Sequence, residues 1–151
     1  MAVPQTLVRH DHVSRLHIHP GRLELTHPVP FQALCEQHLL PFYGVVRVGY
    51  VRGENRLLQT EFIRIVESCS AAVQVQQKMT TRIGLWLHHQ LGAPGMGVLV
   101  EAGYACTPVR DGAALAGPTT TMAFYGSMRD SAEEQREFLT LARSRGMDRP
   151  G

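Results

Sequence analysis

Residues 34–51 read Leu34-Cys35-Glu36-Gln37-His38-Leu39-Leu40-Pro41-Phe42-Tyr43-Gly44-Val45-Val46-Arg47-Val48-Gly49-Tyr50-Val51. The second half, from Tyr43, alternates and is rich in Val and Tyr. Such side chains fit a pleated, half-buried surface, so it is predicted to be a strand. In the first half Cys35 and His38 stand three positions apart, and a tight turn brings a thiolate and an imidazole to one side. Sulfur and nitrogen donors together suit Zn²⁺. On spacing alone a second reading stays open, a buried cysteine beside a core histidine.

Working outward, Arg22 to Thr26 alternates, with Leu23 and Leu25 on one face, and predicts another strand. Downstream, Thr60 is predicted to cap a short helix through Ser68. A longer helix follows to Leu91, with Ala72, Val75, Met79, Ile83, Leu87 and Leu91 at helical spacing, ended by Gly92 and Pro94. Met96 to Ala102 and Thr119 to Tyr125 read as two more strands. Ser131 and Glu134 form a capping box that opens a last helix, closed at Gly146. The order β-β-α-α-β-β-α predicts an α+β domain, an antiparallel four-stranded sheet with its helices on one face. In that order the Cys35–His38 turn lies between the first two strands. Glu101-Ala102-Gly103-Tyr104-Ala105-Cys106 ends the third. Cys35, His38 and Cys106 would be three protein ligands with a fourth position open to water, as catalytic zinc sites are built.

Composition narrows the class. At 151 residues and 44% hydrophobic, the chain suits one compact domain, residues 21–151, preceded by a peripheral arm, residues 1–20. A net charge of +2 with no basic run argues against nucleic acid as a partner. No stretch reaches the roughly 20 apolar residues of a membrane span, and Met1 to Pro20 lacks the apolar segment of a secretory signal. Three cysteines make no disulfide framework. The expected setting is therefore the reducing cytoplasm. His10, His12, His17 and His19 read as surface residues of the arm, Cys69 as a packing residue, and His88 and His89 as partly exposed helix residues. Trp86 and Met79 are assigned to a core or subunit-interface stripe.

Cys35-Glu36-x-His38-Leu-Leu-Pro-Phe, with Gly44 and a Val-rich strand after it, resembles the C-E-H-H-L-L-P-F segment of the GTP cyclohydrolase I family. The resemblance continues through Arg64-Ile65-Val66, Gln74-Val75-Gln76 with Thr80, Glu101-Ala102 ahead of Cys106, Arg110, Thr119-Thr120-Thr121 and Arg136-Glu137-Phe138-Leu139. It implies the tunnelling fold (T-fold) in a ring-shaped homo-oligomer, a decamer, with active sites at subunit interfaces. It also implies a zinc-dependent hydrolase of cyclic amidine C–N bonds. Members open the purine ring of GTP at C8 with zinc-bound water, release formate and rebuild the product as dihydroneopterin triphosphate.

The departures from that pattern are chemical. The family's proton-transferring histidine before the zinc-binding one is Gln37 here, and a second catalytic histidine is Tyr104. A Ser-Lys pair on the triphosphate becomes Thr60-Glu61, and the glutamate on the guanine-type edge becomes Gln77. The resemblance thus makes Gln37 and Tyr104 the catalytic positions. Thr60, Glu61, Arg64, Gln76, Gln77 and Arg110 become the substrate-binding ones. The long N-terminal helical region of many members is missing. The expected substrate is a purine- or pterin-like ring without a triphosphate, in a specialised biosynthetic pathway. Two alternatives stand beside it: a non-catalytic pterin- or purine-binding homologue, and an ordinary GTP cyclohydrolase I.

Overall fold

The computed structural model describes residues 23–105, 109–110, 113–114 and 118–147. Cys106 and the arm of residues 1–20 lie outside them. The elements are β1 (Leu23–Leu25), β2 (Val29–Cys35), β3 (Pro41–Val51), α1 (Gln59–Ser70), β4 (Val73–Gln74), α2 (Gln76–Leu91), β5 (Gly95–Tyr104), β6 (Val109–Arg110), β7 (Ala113–Ala114), β8 (Thr119–Gly126), α3 (Ser127–Asp130) and α4 (Ala132–Met147).

The main sheet runs β4-β2-β3-β5-β8, with β1 also paired to β3. Three of the four expected strands, β3, β5 and β8, form its antiparallel centre together with β2, which takes the place expected for β1. Two short strands are added at its margins, and β4 runs parallel to β2. Strand β2 went unread in the sequence because Pro28 and Pro30 signal a break. Yet Val29, Phe31, Ala33 and Cys35 alternate inward. β4 reaches β2 only at Leu34 and Cys35, so Pro30 sits where the outer edge of β2 is open. A missing N–H is tolerated at such an edge. The Cys35–His38 segment therefore follows directly on a strand end.

Periodicity of two sorts β3 and β5 into two faces. Val46, Val48, Val98 and Val100 join Phe62, Ile65 and Val66 of α1 and Met79, Ile83 and Leu87 of α2 in the larger core. At about 25 cal/mol per Å² of apolar area, that burial is the dominant favourable contribution to folding. The opposite face was expected to be bare. It carries Gly49 paired with Gly97, next to Leu99, and α4 lies across it. A Cβ at Gly49 would collide with the Phe138 ring, and one at Gly97 with the Met128 sulfur and press on the same ring. Phe138, Met128, Ala142 and Leu99 make a second, smaller core. The helices thus occupy both faces, because an apolar strip on the second face also needs cover.

The helix ends differ in detail from their signals. α1 starts after Leu58, with no side-chain cap, so Thr60 lies inside the first turn. Ala72 and Val75 precede α2, and Ala72 has φ 61°. Met79, Ile83, Leu87 and Leu91 are buried as expected, and Gly92 closes α2 in the left-handed conformation. Met79 is core, whereas Trp86 is 48% exposed. Only half the capping box forms: the Glu134 amide donates to Ser131 Oγ at 3.2 Å. The Glu134 carboxylate accepts instead from Ser127, and α4 continues through Gly146 to Met147.

β1 is pinned at the margin by Glu24, which accepts from Tyr50 Oη at 2.7 Å and pairs with Arg52 at 2.7 Å. Arg56 adds a looser contact. The Tyr50 hydrogen bond and the Arg52 pair hold the Glu24 carboxyl below its ordinary value, against the opposing pull of burial. A carboxylate with a depressed folded-state pKa stabilises the fold above the unfolded pKa and loses that contribution as pH falls through the folded value. Glu24→Gln is expected to cost about 1 kcal/mol at neutral pH. The gap between variant and wild type should close on acidification from about pH 5 to about pH 3. Urea unfolding across that range checks it, and a gap independent of pH would refute the assignment.

Candidate metal centre and the polar network beneath it

The Cys35–His38 segment is closed by two backbone bonds. The Cys35 amide donates to the Leu40 carbonyl at 2.8 Å and the Leu39 amide to the Cys35 carbonyl at 2.8 Å. Leu39 takes φ 52° to complete the turn. Next to it, Cys35 pairs with Gln74 of β4, and the Glu36 amide donates to the Gln74 carbonyl. The Ala105 amide donates to the Pro41 carbonyl at 2.9 Å, which carries the β3–β5 ladder up to the same end of the sheet. Cys106, the next residue, lies outside the described ones.

Cys35 Sγ and His38 Nδ1 are 3.9 Å apart. A tetrahedral zinc bonded to sulfur at about 2.3 Å and to nitrogen at about 2.1 Å sets such a pair about 3.6 Å apart. The donor chemistry and the separation therefore fit the metal after a small adjustment. Cys35 is buried in the sheet, while His38 and Gln37 are exposed on the turn. Among the described residues no group of three or more metal-binding side chains gathers. The third sequence-assigned ligand, Cys106, is outside them.

Beneath the turn lies a polar network that spacing did not reveal. Gln76, at the start of α2, is 4% exposed. Its Nε2 donates toward the Val100 carbonyl, the Thr119 carbonyl and Thr121 Oγ1 at 3.3, 3.0 and 3.1 Å. Its Oε1 accepts from Tyr104 Oη at 2.7 Å. Thr80 donates to the Gln76 carbonyl at 2.8 Å and lies 2.7 Å from Thr121 Oγ1. The Tyr104 ring stacks on Phe42, with centroids 4.8 Å apart and planes 8° from parallel. Phe42, Thr80 and Thr121 thus belong to the site's support. The Phe after Pro41 and the Thr119–Thr121 run were visible signals, but only the fold joins them.

The other positions separate. Gln77 is exposed, with its Nε2 toward the Met122 carbonyl at 3.5 Å. Thr60 and Glu61 are in the first turn of α1, and the preceding Gln59 donates to the His27 carbonyl at 3.2 Å. That places them by the β1–β2 connection, at the end of β2 away from Cys35. Arg64 is exposed one turn further along α1. Arg110 is in β6, whose partner is β7. Within one chain the turn, Gln76 and Tyr104 come together, and Thr60 and Glu61 do not join them.

Cys69 faces the larger core as expected. Burial pushes its thiol up, only partly offset by Arg82. His88 stacks against Tyr125 at 5.6 Å, a packing contact.

The sequence pattern of GTP cyclohydrolase I matches residues 17–143. The chain belongs to the GTP cyclohydrolase I family. It is 35% identical over 124 residues to GTP cyclohydrolase 1 of Campylobacter lari, covering 82% of this chain and 65% of that protein. It is 37% identical over 112 residues to the human GTP cyclohydrolase 1, covering 74% and 45%. The chain thus spans less than two thirds of the length of either relative. The crystal structure of the archaeosine synthase QueF-Like in the apo form superposes with a TM-score of 0.57 at 15% identity, over 72% of this chain and 98% of that one. That likeness is one of fold, and the T-fold expectation holds. No described helix is long and apolar enough to cross a membrane.

Proposed function

We propose that the chain is a zinc-dependent hydrolase that opens a cyclic amidine C–N bond in a purine- or pterin-like ring lacking a triphosphate. The observation that carries this reading is the pairing of Cys35 and His38 on one closed turn, at zinc-compatible separation, in a chain whose proton and phosphate groups are altered. Zinc at such a centre supplies Lewis-acid activation of water. Gln37 offers an amide where a titrating group would stand, so it orients but does not carry a proton. Glu61 puts negative charge into the first turn of α1, where the helix dipole favours an anion. It competes with an incoming phosphate for that place. Cytoplasmic residence suits thiolate ligands.

The test is a screen of purine, deazapurine and pterin compounds with zinc-loaded protein, read by mass spectrometry for loss of formyl or ring opening. Ring opening of an uncharged base or nucleoside, with GTP inert, is the expected result. A second reading, a homologue that binds such a ring without turnover, is favoured by the commitment of the Gln76 amide to Val100, Thr119, Thr121 and Tyr104. Binding without any turnover across the screen would select it.

Because Thr60 and Glu61 sit away from the turn, completing one site calls for a second copy. The open edge of β2 supports edge-to-edge joining, since unpaired strand edges need cover. An open recess of about 400 Å³ lies along that edge, lined by Gln32, Leu34, Glu67 and Ser70 among others. Light scattering is expected to show a ring-type homo-oligomer, a decamer. A clean monomer at micromolar concentration would defeat this assembly.

A further inference from the structure

The hydrogen-bond directions around Gln76 follow from the chemistry of its partners. The carbonyls of Val100 and Thr119 can only accept, so the amide nitrogen faces them and Oε1 faces Tyr104. An amide oxygen also only accepts. The proton in the 2.7 Å contact therefore belongs to Tyr104. Thr80 has one hydroxyl proton and gives it to the Gln76 carbonyl, so in the Thr80–Thr121 contact Thr121 donates. Every proton of the network has a place, and the Tyr104 hydroxyl proton points into the core rather than toward a ligand.

The same residue bridges three elements. Its ring lies flat on Phe42, which follows the turn by one residue after Pro41. Its hydroxyl reaches the first residue of α2, and its neighbour Ala105 bonds to Pro41. We propose that Tyr104 is a positioning residue, which through Phe42 and Gln76 fixes the end of β5 against the Cys35–His38 turn and so sets the geometry for metal. The inference rests on the reading of Cys35 and His38 as zinc ligands. The residue type supports it: a phenol is long enough to reach Gln76 from the strand end while presenting a flat face to Phe42.

The test measures zinc affinity of the full chain by competition with a chromophoric chelator, at a temperature where every variant is folded by circular dichroism. Tyr104→Phe keeps the ring and its stack and removes the hydroxyl that donates to Gln76. It is expected to weaken zinc binding about ten- to a hundred-fold, the usual effect of losing an outer partner of a metal site. Gln76→Leu removes the same bond from the other side together with the amide bonds to Val100, Thr119 and Thr121, and should lose at least as much. The double variant should lose no more than Gln76→Leu alone, because the Tyr104 hydroxyl acts through Gln76. Hydrogen exchange at the Ala105 amide should speed up in both single variants. Folded Tyr104→Phe protein with wild-type zinc affinity and unchanged exchange at Ala105 overturns the inference alone. Wild-type protein that binds no zinc overturns the zinc reading and the inference with it.

Discussion

Incubated with GTP for hours at high concentration, the protein is expected to form dihydroneopterin triphosphate at least about 10⁴-fold more slowly than ordinary members of its family. Three residues drive that figure. Gln37 does not titrate, and each positioned proton-transfer group is typically worth about 10²–10⁴-fold. Tyr104 has its proton committed to Gln76 at 2.7 Å, so the second transfer position is also silent. The two losses are not simply additive where groups act as a unit. Glu61 adds a separate penalty on binding. At about 4 Å and a surface-like dielectric, one charge pair is worth about 4 kcal/mol, and here its sign opposes a polyanion. Fluorescence of the oxidised neopterin product reads the outcome. Turnover within about tenfold of ordinary members would restore the plain GTP cyclohydrolase reading. Gln37→His combined with Glu61→Lys is expected to recover slow opening of GTP. That recovery would locate the lost activity in the proton and phosphate groups rather than in the metal turn.

The second large effect concerns the metal itself. Purified protein is expected to carry about one Zn²⁺ per chain. Cys35→Ser and Cys106→Ser should each lose most of it. Zinc peptides with four ligands bind with about 10–16 kcal/mol, so removing one thiolate should weaken affinity by roughly 10²–10³-fold. Elemental analysis after dialysis against a weak chelator makes the comparison. Full occupancy in Cys106→Ser would remove that residue from the ligand set. Full occupancy in Cys35→Ser would dismiss the turn as the metal centre.

What could be read from the chain depended on how far apart the interacting residues lie in sequence. The Cys35–His38 pair is local, closed by a turn of a few residues, and its spacing raised a sulfur–nitrogen site as one of two readings. The stripe Met79, Ile83, Leu87 and Leu91 likewise follows from helical period and is buried. The bond from Tyr104 to Gln76 spans 28 positions, and no periodicity encodes it. Strand β2 was hidden because Pro28 and Pro30 have the same local signature whether they break a strand or sit at its open edge. Thr60 failed as a cap because Leu58 ends the approach to α1 in extended conformation without any side-chain bond. The cover of α4 over the second face was marked only by Gly49 and Gly97, small residues that take on meaning once Phe138 is seen above them.

Cys69, deep beside α2, has a practical use as an internal control for thiol labelling. It is 1% exposed and its thiol is pushed up by burial, so in the native protein it is slow to meet an alkylating reagent, which attacks thiolates. Alkylation that outpaces Cys69 then reports on the remaining thiols, those assigned to metal. Loss of a metal held by those thiols would show as faster labelling, while delayed modification of Cys69 times the opening of the core.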